Sequence, residues 1–412
     1  MDRREWLMSA GAGAGAGALL AACAAQGASA APGKPAGIGS KADFPLAATR
    51  TYLNNASVHP ISVQAAYAAK DYLVRRSEGG QPPDYDVSPR VKQTFAELIN
   101  GDPAGVSYVT STVVGENLVV AGLGIPRGSG NVVTDALHFE GSLYLYGSLA
   151  KQGVDVRIVK PKDWRIDLAD VERAIDQNTR LVAVSLVSFL NGFQHDINGL
   201  AELAHAHGAH LYVDIIQGAG AVPFDVRASG ADFCACATYK WLMGDFGLGF
   251  FYVRPELLDS VMPRVQYGWR QYQDFEYHML PYDSPGPYPA SWQTLAGAPG
   301  HFEMGTFGRT VEACLTHSLS YIQQLGVGNI QAHAQSLTQR LQQELPRMGY
   351  APLTPPASRS PIVSFVVQDP DALRARLERA NVEIKVEQHY MRISPSIYND
   401  QGDIDALLNA LS

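Results

Sequence analysis

Residues 211–253, LYVDIIQGAGAVPFDVRASGADFCACATYKWLMGDFGLGFFYV, hold three apolar runs separated by turn-forming residues. The first, Leu211 to Val213, ends at Asp214, with Gln217 three residues on. The second, Phe233 to Ala237, delivers Thr238, Tyr239 and Lys240; the third, Leu248 to Val253, follows closely enough to return antiparallel. Runs this short, bounded by Gly, Pro and Asp, read as buried strands rather than helices. A carboxylate therefore ends one strand and an amine another, 240 − 214 = 26 residues apart. Singly, a lysine after a strand is a solvated residue and a strand-terminal aspartate a helix cap. With the Gln217 amide they become an amine that can form an imine, a carboxylate that can hold a ring proton, and an amide that can bond a ring oxygen.

The pattern continues on both sides. Amphipathic helices are predicted over residues 63–75 and 90–99, a strand over 106–109 and a helix from Gly115. Strands recur at 131–134, 155–159, 181–187, 210–214 and 232–237, with helical segments between the earlier ones. Strand and helix alternating at this spacing predict an α/β fold with a mostly parallel, seven-stranded sheet. Residues 264–302, rich in Tyr, Pro, Trp and Gly, fit neither period and read as an active-site loop or a subunit contact. A long helix over 310–325 then leads to a small α/β part, with a helix at 331–348, a strand at 362–367, a helix at 370–379 and a strand at 390–393. The organisation expected is a leader (1–30), a linker (31–45), a large domain (46–305) and a small C-terminal domain (306–412).

The leader differs in kind from the rest. Arg3 and Arg4 precede an Ala/Gly-rich stretch, and after Glu5 no acidic residue occurs before Asp43. Alternating Gly and Ala lack the apolar area of a spanning helix, so this reads as a twin-arginine export signal and predicts a periplasmic protein. Leu20, Ala21, Ala22 and Cys23 also match a lipobox, in which Cys23 is lipidated; cleavage after Ala30, releasing a soluble protein, is the rival reading. Cys234 and Cys236, two apart on one strand, share a face and read as core residues, and Cys314 sits in a helix, so there is no disulfide framework. With a net charge of −8 and no basic run, nucleic acid is not an expected partner. His205, His207 and His210 lack the i, i+4 pairing that one helix face needs, so no metal site is expected.

Four further segments carry chemistry. Ser111, Thr112, Val113, Val114, Gly115, Glu116 and Asn117 open a helix, where hydroxyls and free amides suit a phosphate and where Ser and Thr also serve as N-caps. His138 and Phe139, in VVTDALHFEGSLY, are flat side chains just beyond a strand. Thr306 follows Gly305, and Arg392 stands in YMRISPSIYND, its planar fork suited to a carboxylate. From about Tyr52 to the C-terminus the chain resembles the fold-type I pyridoxal-phosphate enzymes, and within them the class V aminotransferase family that includes cysteine desulfurases, kynureninases and isopenicillin N epimerases.

The resemblance implies pyridoxal phosphate held as a Schiff base on Lys240, with Asp214 on the pyridine nitrogen and Gln217 on the ring oxygen. Ser111, Thr112 and Val113 match the family's Gly-Thr-Thr phosphate loop with two replacements, while Tyr239, and more weakly Thr238, would reach the same phosphate. Either His138 or Phe139 would stack on the ring. Thr306 would reach the phosphate of a neighbouring subunit, which requires a homodimer with shared active sites, and Arg392 would clamp the α-carboxylate of an amino-acid substrate. Transamination is the reaction expected first, with epimerisation or β-elimination as alternatives and a catalytically inactive binding protein as the reading from another class. Two departures bear on this. Desulfurases need a nucleophilic cysteine shortly before the arginine, and residues 350–391 contain none; Asp245 also replaces a proline common in the turn after the lysine. Substrate choice is expected to lie near Trp269, Arg270 and Tyr277.

Overall fold

Six apolar runs, buried along almost their whole length, align into one sheet, and a half-exposed seventh, Asp155–Val159, closes one edge. The structure is a computed structural model and describes residues 38–79, 87–279, 281–282 and 288–412. The expected leader with Cys23, and the first part of the expected linker, lie outside the described residues. A short strand, β1 (Thr51–Tyr52), precedes the central sheet. The sheet contains β2 (Val106–Val109), β3 (Asn131–Asp135), β4 (Asp155–Val159), β5 (Thr179–Ser185), β6 (His210–Asp214), β7 (Phe233–Ala237) and β8 (Gly249–Val253). Its order is β2-β8-β7-β6-β5-β3-β4. Only β8 runs antiparallel to its neighbours; the other pairings are parallel. The mostly parallel, seven-stranded α/β sheet is the one expected from the sequence.

The sheet is covered on both faces. Along β7, Cys234 and Cys236 enter one apolar cluster with Phe250, while Phe233 and Ala235 enter another with Phe251. Both cysteines therefore share one buried face, as their spacing predicts. Helix Thr112–Gly122 lies so close to the sheet that a Cβ on Gly115 would stand 2.8 Å from that of Ala235.

Beyond the sheet, β11 (Val363–Val366), β14 (Tyr390–Ile393) and β13 (Lys385–Val386) form an antiparallel sheet in that order. Its apolar cluster includes Leu341, Phe365, Leu373 and Ile393. Strand β12 (Val382–Glu383) pairs in parallel with β1, tying the start of the described chain to its end.

Three expectations are corrected. Residues 264–302 are not irregular throughout: they hold the hairpin of β9 (Tyr272–Tyr277) and β10 (Ala290–Thr294), then helix Gly297–Phe302. Nearly all of this hairpin is exposed, so no face had to be apolar and no alternation appears in its sequence. The helix expected from Gly115 begins at Thr112, since the Ser111 hydroxyl caps it by accepting from the Val114 amide. Strand β5 begins two residues early, at Thr179, whose hydroxyl donates to Asn131. Among the described residues no helix is long and apolar enough to cross a membrane.

Candidate functional site

The carboxyl ends of β6 and β7 and the start of helix Thr112–Gly122 meet at a cleft with ≈ 330 Å³ of empty space. Its walls are Ser111, Thr112, Val113, Phe139, Asp214, Ile216, Ala237, Tyr239 and Lys240. A surface hollow near Arg50, Arg374 and Glu383 is larger, at ≈ 960 Å³, but is lined by residues already engaged with one another. Chemistry, not size, marks the site. Open α/β sheets gather ligand groups at the carboxyl ends of their strands, which is where both charged residues of the 211–253 segment end up.

Lys240 is 7 % exposed. Burial lowers its pKa from 10.5 to about 8 against the opposing charge of Asp214, so a free amine is accessible near neutrality. Its Nζ lies 5.9 Å from the centre of the Phe139 ring and 5.8 Å from that of Tyr239.

Asp214 accepts a hydrogen bond from the Ile216 amide on Oδ1 (2.9 Å), and no donor among the described residues takes Oδ2. Burial raises its pKa to about 6; the charge of His138 and the Ile216 bond resist the rise, and Glu116 adds to it. A carboxylate with one oxygen committed and the other on a cleft wall is suited to hold a ring N–H.

The turn after β3 sets the two flat candidates. Asp135 accepts the Leu137 amide on Oδ1 (2.7 Å) and meets His195 Nε2 through Oδ2 (3.1 Å), which anchors the turn. Phe139 then lines the cleft, its ring edge-on to Phe189 at 5.4 Å. His138 is fully buried and has both ring nitrogens engaged, Nδ1 with Ser185 Oγ (2.8 Å) and Nε2 with Glu116 Oε1 (3.1 Å).

The phosphate candidates divide likewise. Ser111, Thr112, Val113 and Tyr239 line the cleft. The Thr112 hydroxyl accepts the Ala237 amide (2.9 Å), pinning the helix start to the end of β7. Amides of a first helical turn have no intrahelical acceptor, and the dipole there favours an anion. Tyr239 stacks on Phe246 at 4.4 Å. Thr238 is away from the cleft wall and shapes the following turn, donating to the carbonyl of Asp245 (2.6 Å). Thr306 is exposed and does not line this chain's own cleft. Gln217 is not on the wall either: its Nε2 donates to the Ala56 carbonyl (3.0 Å) and its Oε1 accepts from Trp241 Nε1 (2.9 Å).

Arg392, on β14, is 2 % exposed. Its two Nη atoms donate to the Phe189 carbonyl (2.8 Å) and the Ser57 hydroxyl (2.6 Å), and its Nε is buried without a partner. Burial pushes its pKa down to about 10, and no carboxylate among the described residues forms an ion pair with it. Phe189 links it to the cleft, touching Arg392 through its carbonyl and Phe139 through its ring. A buried guanidinium with no counter-ion is costly unless a ligand supplies the negative charge.

Among the described residues the free cysteines are Cys234, Cys236 and Cys314, all buried with thiol pKa values raised by burial, and none on the cleft wall. His205 and His210 both meet the Asp232 carboxylate, at 2.9 and 3.4 Å, whereas His207 bonds the Leu203 carbonyl. Glu116, Ser185 and Ser57 are site neighbours that the sequence reading did not single out. Glu116 left one signal: it is a charged residue three and four positions before the buried Val119 and Val120, on the face of its helix turned to the sheet.

Comparison with known proteins agrees with this geometry. The model of the family described as aminotransferase class-V matches residues 85–407. The chain is similar to a probable cysteine desulfurase of Methanothermobacter thermautotrophicus, 28 % identical over 307 residues that cover 73 % of each chain. In fold it is similar to the apo structure of a cysteine desulfurase from Thermococcus onnurineus NA1 (TM-score 0.78, 22 % identity, 93 % of this chain and 98 % of that one). It is equally similar to C-DES with glycine covalently linked to its PLP cofactor (TM-score 0.78, 22 % identity, 90 % of this chain and 99 % of that one).

Proposed function

The chain belongs to the class-V aminotransferase family, and on that premise we propose that it acts on the α-amino group of an amino acid, free or as part of a larger molecule, by transamination. Its cofactor is pyridoxal phosphate. The residues present fit that group: Asp214 has an oxygen without a donor, the helix start offers amides and hydroxyls, and a lysine with a depressed pKa stands beside both. When bound, the cofactor supplies an electron sink for charge developing at Cα.

The protein's own part is division of labour. Lys240 Nζ would hold the aldehyde carbon covalently and, once the substrate amine takes that place, would move the Cα proton as a general base. Asp214 Oδ2 would keep the ring nitrogen protonated, and Phe139 would cover one ring face. Ser111, Thr112, Val113 and Tyr239 would hold the phosphate. Gln217, with one amide hydrogen still uncommitted, would serve the ring oxygen only by a shift toward the cleft. Arg392 carries the choice of substrate: an unpaired, buried guanidinium beside this cleft is what an α-carboxylate would neutralise with two parallel hydrogen bonds.

A second reading, β-elimination from a sulfur-bearing amino acid, is favoured by the relatives named cysteine desulfurase. It needs no thiol from the enzyme, whereas desulfuration through an enzyme cysteine does, and the described cysteines are buried away from the cleft. Incubating the loaded enzyme with an amino-acid panel and no keto-acid acceptor separates the reactions. Transamination stops after one equivalent of keto acid per site; elimination continues, releasing pyruvate and ammonia; epimerisation inverts the substrate and releases neither. Stoichiometric keto acid supports the proposal, and continued pyruvate release overturns it in favour of the lyase.

Assembly and export complete the proposal. Two copies would share sites through the exposed Thr306, and twin-arginine export would place the enzyme in the periplasm, anchored if Cys23 is lipidated. Palmitate-analogue labelling lost in Cys23→Ser would support the anchor.

A further inference from the structure

A buried polar chain stands behind Asp214, and the chemistry above leaves it unused. Glu116 is 0 % exposed and accepts three hydrogen bonds, from the Tyr146 hydroxyl (2.7 Å) and His138 Nε2 (3.1 Å) on Oε1 and from the Ser142 hydroxyl (2.5 Å) on Oε2. His138 passes the contact on through Nδ1 to Ser185 Oγ (2.8 Å). Ser185 is the register partner of Asp214 on the adjacent parallel strand, so their side chains leave the sheet on the same face. Glu116, His138, Ser185 and Asp214, from four different segments, thus form one line that ends under the cleft.

A carboxylate sealed from water and met by three hydrogen-bond donors calls for a counter-charge. The candidates are few. The charged and titratable groups facing His138 are Glu116, Asp135, Asp214 and, with its ring 6.4 Å away, Tyr146. Asp135 is already paired with His195. The imidazole is therefore the cation available to a cluster of acids. Burial by itself would lower its pKa, but the charge and hydrogen bond of Glu116, with Asp214 and Asp135 behind, outweigh burial and raise it. In the opposite direction, the His138 charge resists the burial-driven rise of the Asp214 pKa.

We infer that His138 is a positioning residue, held as an imidazolium by Glu116, whose positive charge keeps Asp214 ionised beneath the cofactor ring. This rests on the pyridoxal-phosphate reading of the cleft. It assigns His138 to the electrostatics behind the ring, and it makes Glu116 a working residue of the same helix whose first turn faces the phosphate. Without the imidazolium, Asp214 would hold the proton itself rather than leave it on the ring nitrogen.

The test uses the cofactor-loaded protein with ¹⁵N in its histidines and in the pyridine nitrogen of the cofactor. In the wild type both ring nitrogens of His138 should still read as protonated at pH values where an ordinary histidine has lost its charge. His138→Gln retains a donor but no charge, and Glu116→Gln should discharge His138. In His138→Gln the pH midpoint of the cofactor ring nitrogen should fall by about one unit, a tenfold gain of its unprotonated form at a given pH, and in Glu116→Gln, which also removes an anion that raises the Asp214 pKa, it should fall by less. A single protonated nitrogen on wild-type His138, or an unmoved ring-nitrogen midpoint in both variants, would overturn the inference. The wild-type reading stands even where a variant does not fold. Failure of wild-type protein to take up the cofactor refutes the cofactor reading instead, and is seen separately as absence of visible colour.

Discussion

Replacing Arg392 by glutamine separates a substrate clamp from a structural charge. Burial lowers the Arg392 pKa from 12.5 to about 10, so holding the charge in the fold costs about 3 kcal/mol at 1.36 kcal/mol per unit. Against this stand two hydrogen bonds, to Phe189 and Ser57, each contributing about 1.5–3 kcal/mol because the donor is charged. The terms largely cancel, so the variant should lie within about 2 kcal/mol of the wild type. An arginine in a buried structural ion pair would instead cost roughly 3–5 kcal/mol on removal. Function should fall instead. Two charge-assisted bonds to a carboxylate are lost, about 3–4 kcal/mol together, so kcat/KM for α-amino acids should fall roughly 10²–10³-fold. An amine lacking the carboxylate should react equally well with both proteins. Denaturant midpoints and turnover of a carboxylated and a decarboxylated substrate pair supply the readouts. Marked destabilisation with equal losses on both substrates would refute the reasoning.

Other outcomes follow from the same geometry. Burial lowers the Lys240 pKa to about 8, which gives it roughly 300-fold more free amine at pH 7 than an ordinary lysine; cofactor uptake by the apoprotein should rise as the pH passes about 8 and then level off, and a flat profile would count against the depressed pKa. Asp214→Asn should retain the cofactor yet lose at least about 100-fold in turnover. Because the folded pKa of Asp214 is raised, to about 6 from 3.8, its ionised form is a cost that begins above 3.8 and is complete above about 6. The Asn apoprotein should accordingly be more stable than wild type by about 3 kcal/mol at pH 8, with the gap closing toward pH 4; a pH-independent gap in urea midpoints would contradict this. Gly115→Ala puts a Cβ 2.8 Å from that of Ala235 and should destabilise by about 1–3 kcal/mol, with an unchanged urea midpoint as the contrary result.

What was legible in the sequence was what burial imposes on it. The strands 106–109, 155–159, 210–214 and 390–393 and the helix 370–379 have the bounds their patterns predict, since each must place apolar residues against a core. Lys240 and Asp214 were legible for the same reason: each is a charge at the end of a run that has no other reason to carry one. The hairpin β9–β10 was not, because its exposed faces place no demand on residue type. Nor could local pattern show that the Gln217 amide is held by Ala56, 161 residues away, or that Glu116 meets His138 across 22. The isolation of Arg392 is a property of packing alone. Its motif suggested a clamp, but only the fold shows that the clamp lacks a counter-ion.

The central claim is a covalent bond between the cofactor aldehyde and Lys240 Nζ. Reduction of the loaded protein with borohydride, digestion and peptide mass spectrometry would locate it directly. The account predicts a single pyridoxyl adduct on the peptide that contains Lys240, and a colourless, unlabelled Lys240→Ala variant. An adduct on another lysine would contradict it, and no adduct in a wild type that resists reconstitution would contradict it in favour of a catalytically inactive binding protein on this fold.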